Sequence, residues 1–387
     1  MQRYLNFNST RFYAQYITLD ELMGKPNAPR ARYKLITWYF ASILIAFSTC
    51  IHLFTVTSQL LSFRKDPDVS CTDILVLVYY IDIQLLALNA ILACIFRFEE
   101  ICFALGNIQV INRYANQDAG YLTEFATTKL GLFFHGIIPF PLLFSLLGAV
   151  TPLMQHTSDP TRFWFRYIPL IPSCAKIILR AVLAGAVIFH GTNIIFGAIA
   201  LIFNGTFPIV TCLQLMTRPL KFRRCSECEF VSLIFPAAAK RVSKFNQNYS
   251  RYRQFQIINT VQNMVFGFIL PVTLMVGLIA GCLVGYILIK LIGRVPIPLT
   301  GMAGFIIFFI IAAVYCLFPI AVRIRTVSGE FKRYCSLQDI SKYERQQVKS
   351  WRSLGVEVGH FFTIVTSSRT TFISLLLYYM ILLVISV

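Results

Sequence analysis

Thr370-Thr-Phe-Ile-Ser-Leu-Leu-Leu-Tyr-Tyr-Met-Ile-Leu-Leu-Val-Ile-Ser-Val387 carries no charged side chain and runs to the last residue of the sequence. At 1.5 Å per residue these 18 residues measure about 27 Å, enough to cross a bilayer core if the first turn is shared with Arg369. The stretch is read as a transmembrane helix, and the chain is expected to end in the membrane or at its far surface.

The rest of the 387 residues agrees with that reading. Hydrophobic residues make up 57% of the chain and charged ones 13%, where a soluble domain carries roughly a quarter charged residues. With 35 phenylalanines spread along the chain, the composition is that of a polytopic membrane protein and not of an enzyme with one anchor. The first 34 residues hold no apolar core, so no cleavable signal peptide is expected.

Seven hydrophobic runs reach spanning length, at about Leu35–Leu61, Ile74–Phe96, Leu130–Met154, Lys176–Leu213, Asn263–Ile289, Leu299–Val322 and Thr370–Val387. The predicted fold class is therefore all-α, with seven transmembrane helices. Counting Lys and Arg outside the spans places 27 on the side of the N-terminus and 7 on the other. The basic side is the cytosol, so the N-terminus is read as cytosolic and the C-terminus as extracellular. The fourth run is overlong. A hairpin around His190-Gly191-Thr192-Asn193 makes eight spans and lowers the bias to 23 against 11, so the reading keeps seven.

The same distribution explains the net charge of +18. Basic side chains at helix ends and in cytosolic loops attract anionic membrane lipid, and no nucleic-acid partner is called for. The expected organisation is a cytosolic segment at 1–34, a ligand-binding bundle of six helices with their loops at 35–322, a cytosolic anchor at 323–369 and a last helix at 370–387. The loop containing Ser243-Lys244-Phe245-Asn246 and Tyr249 to Gln254 reads as a helical extension of its spans. In the anchor, Ile340, Tyr343, Val348 and Trp351 recur as on an amphipathic helix, so the two segments are expected to pack below the membrane.

Charged groups inside a span usually face a partner or a cavity. Asp82 and Arg180 are candidates for an ion pair lining an outward-facing cavity, with Tyr79, Tyr80 and Tyr286 to contact an organic ligand; an internal structural pair is the alternative. His190 and Asn193 are expected to hydrogen-bond between helices. Cys71 and Cys174 fall in the outer loops, where a disulfide can form. Cys225-Ser226-Glu227-Cys228 has metal-ligand spacing but lacks a second pair, so neither a metal nor another cofactor is expected. The chain contains no His-Glu-x-x-His, no Gly-x-Ser-x-Gly and no phosphate-binding glycine loop, so no enzyme activity is predicted.

Thr371-Phe372, the apolar Ile373 to Leu377 and Tyr378-Tyr379 resemble the terminal signature of arthropod gustatory receptors, which reads Thr-Tyr, five apolar residues, Gln-Phe. Phe372, Tyr378 and Tyr379 depart from it. The approach through Gly359-His-Phe361 is also similar, as are the seven spans, the chain length and the inward N-terminus of the insect gustatory and odorant receptor superfamily. The resemblance implies a ligand-gated, non-selective cation channel of four like or unlike subunits in the plasma membrane. Small organic tastants or odorants would open it, and the last helices would line its pore. Thr371, Ser374 and Tyr378 form one polar stripe, followed by Leu382 as an apolar gate; close helix approach is the other use for such hydroxyls. A G-protein-coupled receptor is the competing class, on Cys316-Leu317-Phe318-Pro319 and an Asn8-Ser9-Thr10 glycosylation site, and a membrane transporter is a further alternative. Against the G-protein-coupled receptor, no Asp/Glu-Arg-Tyr follows span three, and the charge bias is inverted.

Overall fold

The computed structural model describes residues 16–17, 32–63, 66–107, 139–154, 159–166, 168, 171–217, 237–293, 297–338 and 340–386. Its helices are α1 (Ile36–Leu61), α2 (Cys71–Phe96), α3 (Phe140–Met154), α4 (Ser173–Thr217), α5 (Ala237–Lys290), α6 (Ile297–Leu337), α7 (Lys342–Ser350) and α8 (Thr366–Ser386). A two-stranded hairpin, β1 (Glu357–Val358) and β2 (Phe362–Thr363), lies just before α8.

Within α1, α2, α4, α5, α6 and α8 lie segments long and apolar enough to cross a membrane. The chain is a predominantly helical, multi-pass membrane protein of the all-α class. The third expected run appears as the 15-residue α3; its first nine positions, 130–138, lie outside the described residues, as do the Cys225–Cys228 motif and the Asn8 sequon. The fourth run is one unbroken helix of 45 residues and not a hairpin. His190 to Asn193 stay helical because neighbours absorb their polarity: Ser42 on α1 lies 2.9 Å from His190 Nε2. Gly191 faces Ala87 of α2, and a Cβ there would stand in ordinary contact with it at 3.5 Å.

Helix ends follow local chemistry. Ser70 and Asp73 form a reciprocal capping box that starts α2, and Ser341 and Glu344 do the same for α7. α5 begins as far back as Ala237, so the Phe245 to Gln254 stretch is a helical extension of its span.

Below the spans the extensions of α5 and α6 grip the segment that leads into α8. Trp351 is 2% exposed and stacks on Tyr252, with ring centroids 4.7 Å apart, and on Phe331 at 6.1 Å. The Tyr252 hydroxyl lies 2.8 Å from Ser328 Oγ and donates to the Arg352 carbonyl at 2.9 Å. Asn259 and Asn263 both donate to the Gly355 carbonyl, at 3.1 and 2.9 Å. The hairpin turns at Gly359, whose φ of +57° suits a residue without Cβ and whose Cα sits 3.4 Å from where a Gly267 Cβ would be. Of the four anchor positions spaced as on a helix, Val348 and Trp351 are buried and Ile340 packs at the edge of the same cluster. Tyr343 is 69% exposed and takes no part in that core.

Candidate functional site

Between α2, α4, α5 and α6 lies a cavity of about 260 Å3. The elements around it supply mostly apolar side chains: Tyr79, Tyr80 and Ile83 from α2, Ile188 and Phe196 from α4, Leu270, Leu274 and Val276 from α5, Phe309 and Phe318 from α6. Phe144 of α3 closes one side, and Val356, Ile364 and Phe372 bring the C-terminal segment into the wall. Such a lining binds small organic molecules by taking their apolar surface out of contact with water.

Tyr79 and Tyr80, chosen from the sequence, line this cavity with their rings nearly perpendicular, 5.8 Å apart. The other three chosen residues are not in its lining. Tyr286 packs with Tyr79, Leu283 and Val284 in an adjoining apolar cluster. Asp82 is 5% exposed and faces the backbone of Ala280. Arg180 is buried beside Asp159, Nε to Oδ2 3.8 Å. The acid recorded opposite Arg180 thus comes from the loop ahead of α4, which brings a carboxylate down onto the helix, and not from Asp82.

Sequence reasoning missed a polar cluster at the edge of the cavity. Gln84, which also lines it, donates to Ser48 at 2.8 Å and accepts from Thr49 at 3.3 Å. His52 Nδ1 lies 3.4 Å from the same amide oxygen, and Trp164 donates to His52 Nε2 at 3.1 Å. A buried amide needs partners for both its ends, so Gln84 predicts partners of this kind but cannot say which helix supplies them.

The charge count assigns the loops around residues 66–70 and 159–168 to the outer face, and an ion-pair staple joins them. Arg166 pairs with Asp66 and, at 2.8 Å, with Asp68; Arg162 reaches Asp73 at 3.2 Å and the Asp68 carbonyl at 2.6 Å. The hydrogen bond from Arg166 holds the Asp66 carboxyl below its ordinary value, assisted by the backbone of Asp68. Burial raises Asp159 instead, against the hydrogen bonds from Thr161 and the charge of Arg180. A depressed carboxylate contributes stability above its unfolded value and loses it as pH falls through the folded one. The melting temperature should therefore drop more steeply below about pH 4 in the wild type than in Arg166→Gln. Both side chains of the Arg166–Asp66 pair are 29% exposed, so the difference is small and shrinks in high salt; parallel acid limbs in the two proteins would exclude the staple as its source. Cys174 is an exposed free thiol, so the disulfide expected with Cys71 is not formed there. Among the described residues no three metal-ligating side chains come together.

The second part of the site is α8. Thr371, Ser374, Tyr378 and Leu382 all fall on its exposed side, Tyr378 at 60% and Leu382 at 50%. Among its described residues only Leu376 is buried. The opposite side lies on a ridge that sequence reasoning did not pick out, Gly277, Gly281 and Gly285 of α5, which face Phe372, Leu376 and Met380 turn for turn. Three glycines four residues apart share one helix face and allow two helices to approach closely.

No protein family is matched by the sequence, and no curated protein matches it. Solved structures do. The insect olfactory receptor OR5 from Machilis hrabei in complex with eugenol superposes with a TM-score of 0.66 at 14% identity, over 99% of this chain and 96% of that one. A second structure of the same receptor gives 0.65 at 14% identity over the same shares. The likeness takes in nearly every residue of both proteins, and the chain has the all-helical membrane fold of an insect olfactory receptor.

Proposed function

We propose that this protein is a chemosensory receptor of the insect gustatory and odorant receptor superfamily, acting as a ligand-gated, non-selective cation channel in the plasma membrane. The observation that carries the reading is the whole-chain likeness to a receptor solved with a small organic molecule, together with an apolar cavity between the helices of this chain. A small organic tastant or odorant occupies that cavity, beside Tyr79 and Tyr80. Four subunits, like or unlike, surround one pore. The last helix, 370–387, lines it with Thr371, Ser374 and Tyr378, and Leu382 closes it. Segment 323–369 anchors the subunits on the cytosolic side, where the N-terminus also lies, and the C-terminus is outside.

The exposure of that face of α8 supports the assignment, because a polar stripe turned away from its own bundle needs water or another subunit. An apolar ring closes a pore by dewetting, so Leu382→Ser should raise the basal cation current several-fold in cells that carry the protein at the surface. A surface-expressed Leu382→Ser variant as silent as the wild type would remove Leu382 as the gate.

A further inference from the structure

A further pocket, of about 340 Å3, lies on the flank of α1, apart from the cavity between the helices. α1 supplies Phe47, Cys50, Ile51, Phe54, Thr55 and Ser58 to it, at i, i+3, i+4, i+7, i+8 and i+11, which is one face of a helix. The edge of that face is open, with Phe47 61% and Phe54 69% exposed. Polarity rises along it. The lining is apolar as far as Phe54, Thr55 and Ser58 follow, and Gln59, Asp66 and Arg166 form the upper end beside Trp164. The hydroxyls of Thr55 and Ser58 are spent on the carbonyls of Ile51 and Thr55, so the α1 wall suits hydrocarbon almost up to the rim.

Depth follows from position on the helix. Phe47 is the middle residue of the 29-residue apolar segment Tyr33–Leu61. Ser58 stands 11 residues further on, about 16 Å along the axis, and half of a hydrocarbon core about 30 Å thick is equally deep. The pocket therefore covers one leaflet, from the bilayer centre to the loops at 66–69 and 163–166. The charge count makes it the outer leaflet.

We propose that this pocket holds a zwitterionic glycerophospholipid of the outer leaflet. An acyl chain runs down Phe54, Ile51 and Phe47, and the headgroup lies at the Asp66–Arg166 pair. That rim carries both signs of charge: Arg166 faces the phosphate, while Asp66 and the neighbouring Asp68, whose side chain is 73% exposed, face the ammonium group. A lipid with an anionic headgroup meets only the Arg166 half and sets its charge against two carboxylates. Trp164 stands at the level where indole rings collect at a membrane surface. The site is separate from the ligand cavity and does not rest on the channel reading.

Cys50 reports on the occupant, because its thiol is free and exposed in the pocket wall, and Cys174, also free and exposed, lies outside the lining. Full-length protein, stripped of lipid in detergent, is treated with a maleimide while phosphatidylcholine or phosphatidylglycerol is added back, and each cysteine is followed by peptide mass spectrometry. Phosphatidylcholine should slow Cys50 several-fold and leave Cys174 unchanged, and phosphatidylglycerol should slow Cys50 less. Asp68→Asn should narrow the gap between the two lipids. Thr55→Trp, which fills the middle of the pocket, should lower the phospholipid retained through purification by one molecule per chain, while Leu146→Trp, at an exposed position of α3, should not. A Cys50 rate that neither lipid changes, whether because the face stays open or because a second copy of the chain covers it, overturns the proposal. So does a rate that both lipids slow equally.

Discussion

Gly281→Leu should displace the last helix and cost about 1–3 kcal/mol of stability, the range for overpacking a filled contact. A Cβ at position 281 would stand 2.5 Å from Leu376 Cδ1, and one at 285 would stand 2.8 Å from Met380 Cγ and nearer still to its sulfur. Both obstacles are ends of flexible side chains, so an alanine would be accommodated by a rotamer change. A leucine cannot be, because it adds a whole branched side chain to a face already occupied. The double variant Gly281→Leu with Leu376→Ala should recover much of the loss, since the room removed on one helix is returned on the other. Gly304→Ala on α6 is the control: nothing lies within 4 Å of a Cβ there, and the change should be neutral or slightly stabilising. Thermal unfolding of the purified proteins, with surface abundance in cells, measures all four. A Gly281→Leu protein with the melting temperature of the wild type would mean that α8 is not seated on this ridge.

Trp351→Ala should be the more damaging change, at about 3–5 kcal/mol. The indole is packed among Phe245, Tyr249, Tyr252 and Phe331, and its removal leaves a cavity where α5, α6 and the segment entering α8 meet. Its N–H has no hydrogen-bond partner among the described residues, so its contribution is packing. Trp351→Phe should accordingly keep most of the stability, losing ring area but also an unsatisfied donor. Equal losses in the two variants would show that something other than ring contact is at stake.

Hydropathy made the spans legible because a bilayer imposes one requirement, length of apolar chain, that a single segment meets by itself. The α8 stripe was legible for the same reason, since its positions follow from helical period alone. Pairing is different. Asp82 and Arg180 are both charged and both buried, yet the carboxylate recorded beside Arg180 is Asp159, from a loop whose path the sequence does not give. The glycine ridge carried the right spacing, but its meaning depends on Leu376 and Met380 arriving opposite it from nearly a hundred residues away. In the anchor, Ile340 and Tyr343 were counted onto one amphipathic face with Val348 and Trp351. The Ser341 cap starts α7 only at Lys342, so Ile340 lies outside the helix, and Tyr343 is turned from Val348 by about 140° around it.

The grip on Trp351 and Gly355 has a consequence for how the protein is made. Tyr252 waits for the Arg352 carbonyl, 100 positions later, and Asn259 waits for Gly355, 96 positions later. Contacts so remote in sequence form late, and until they form, the N-terminal part of α5 and the C-terminal part of α6 present apolar rings and unpaired amides of the kind that make folding intermediates prone to aggregation. Substitutions in this region should accordingly show up as protein retained and degraded during biogenesis, with less of the full-length chain recovered from membranes than of the wild type.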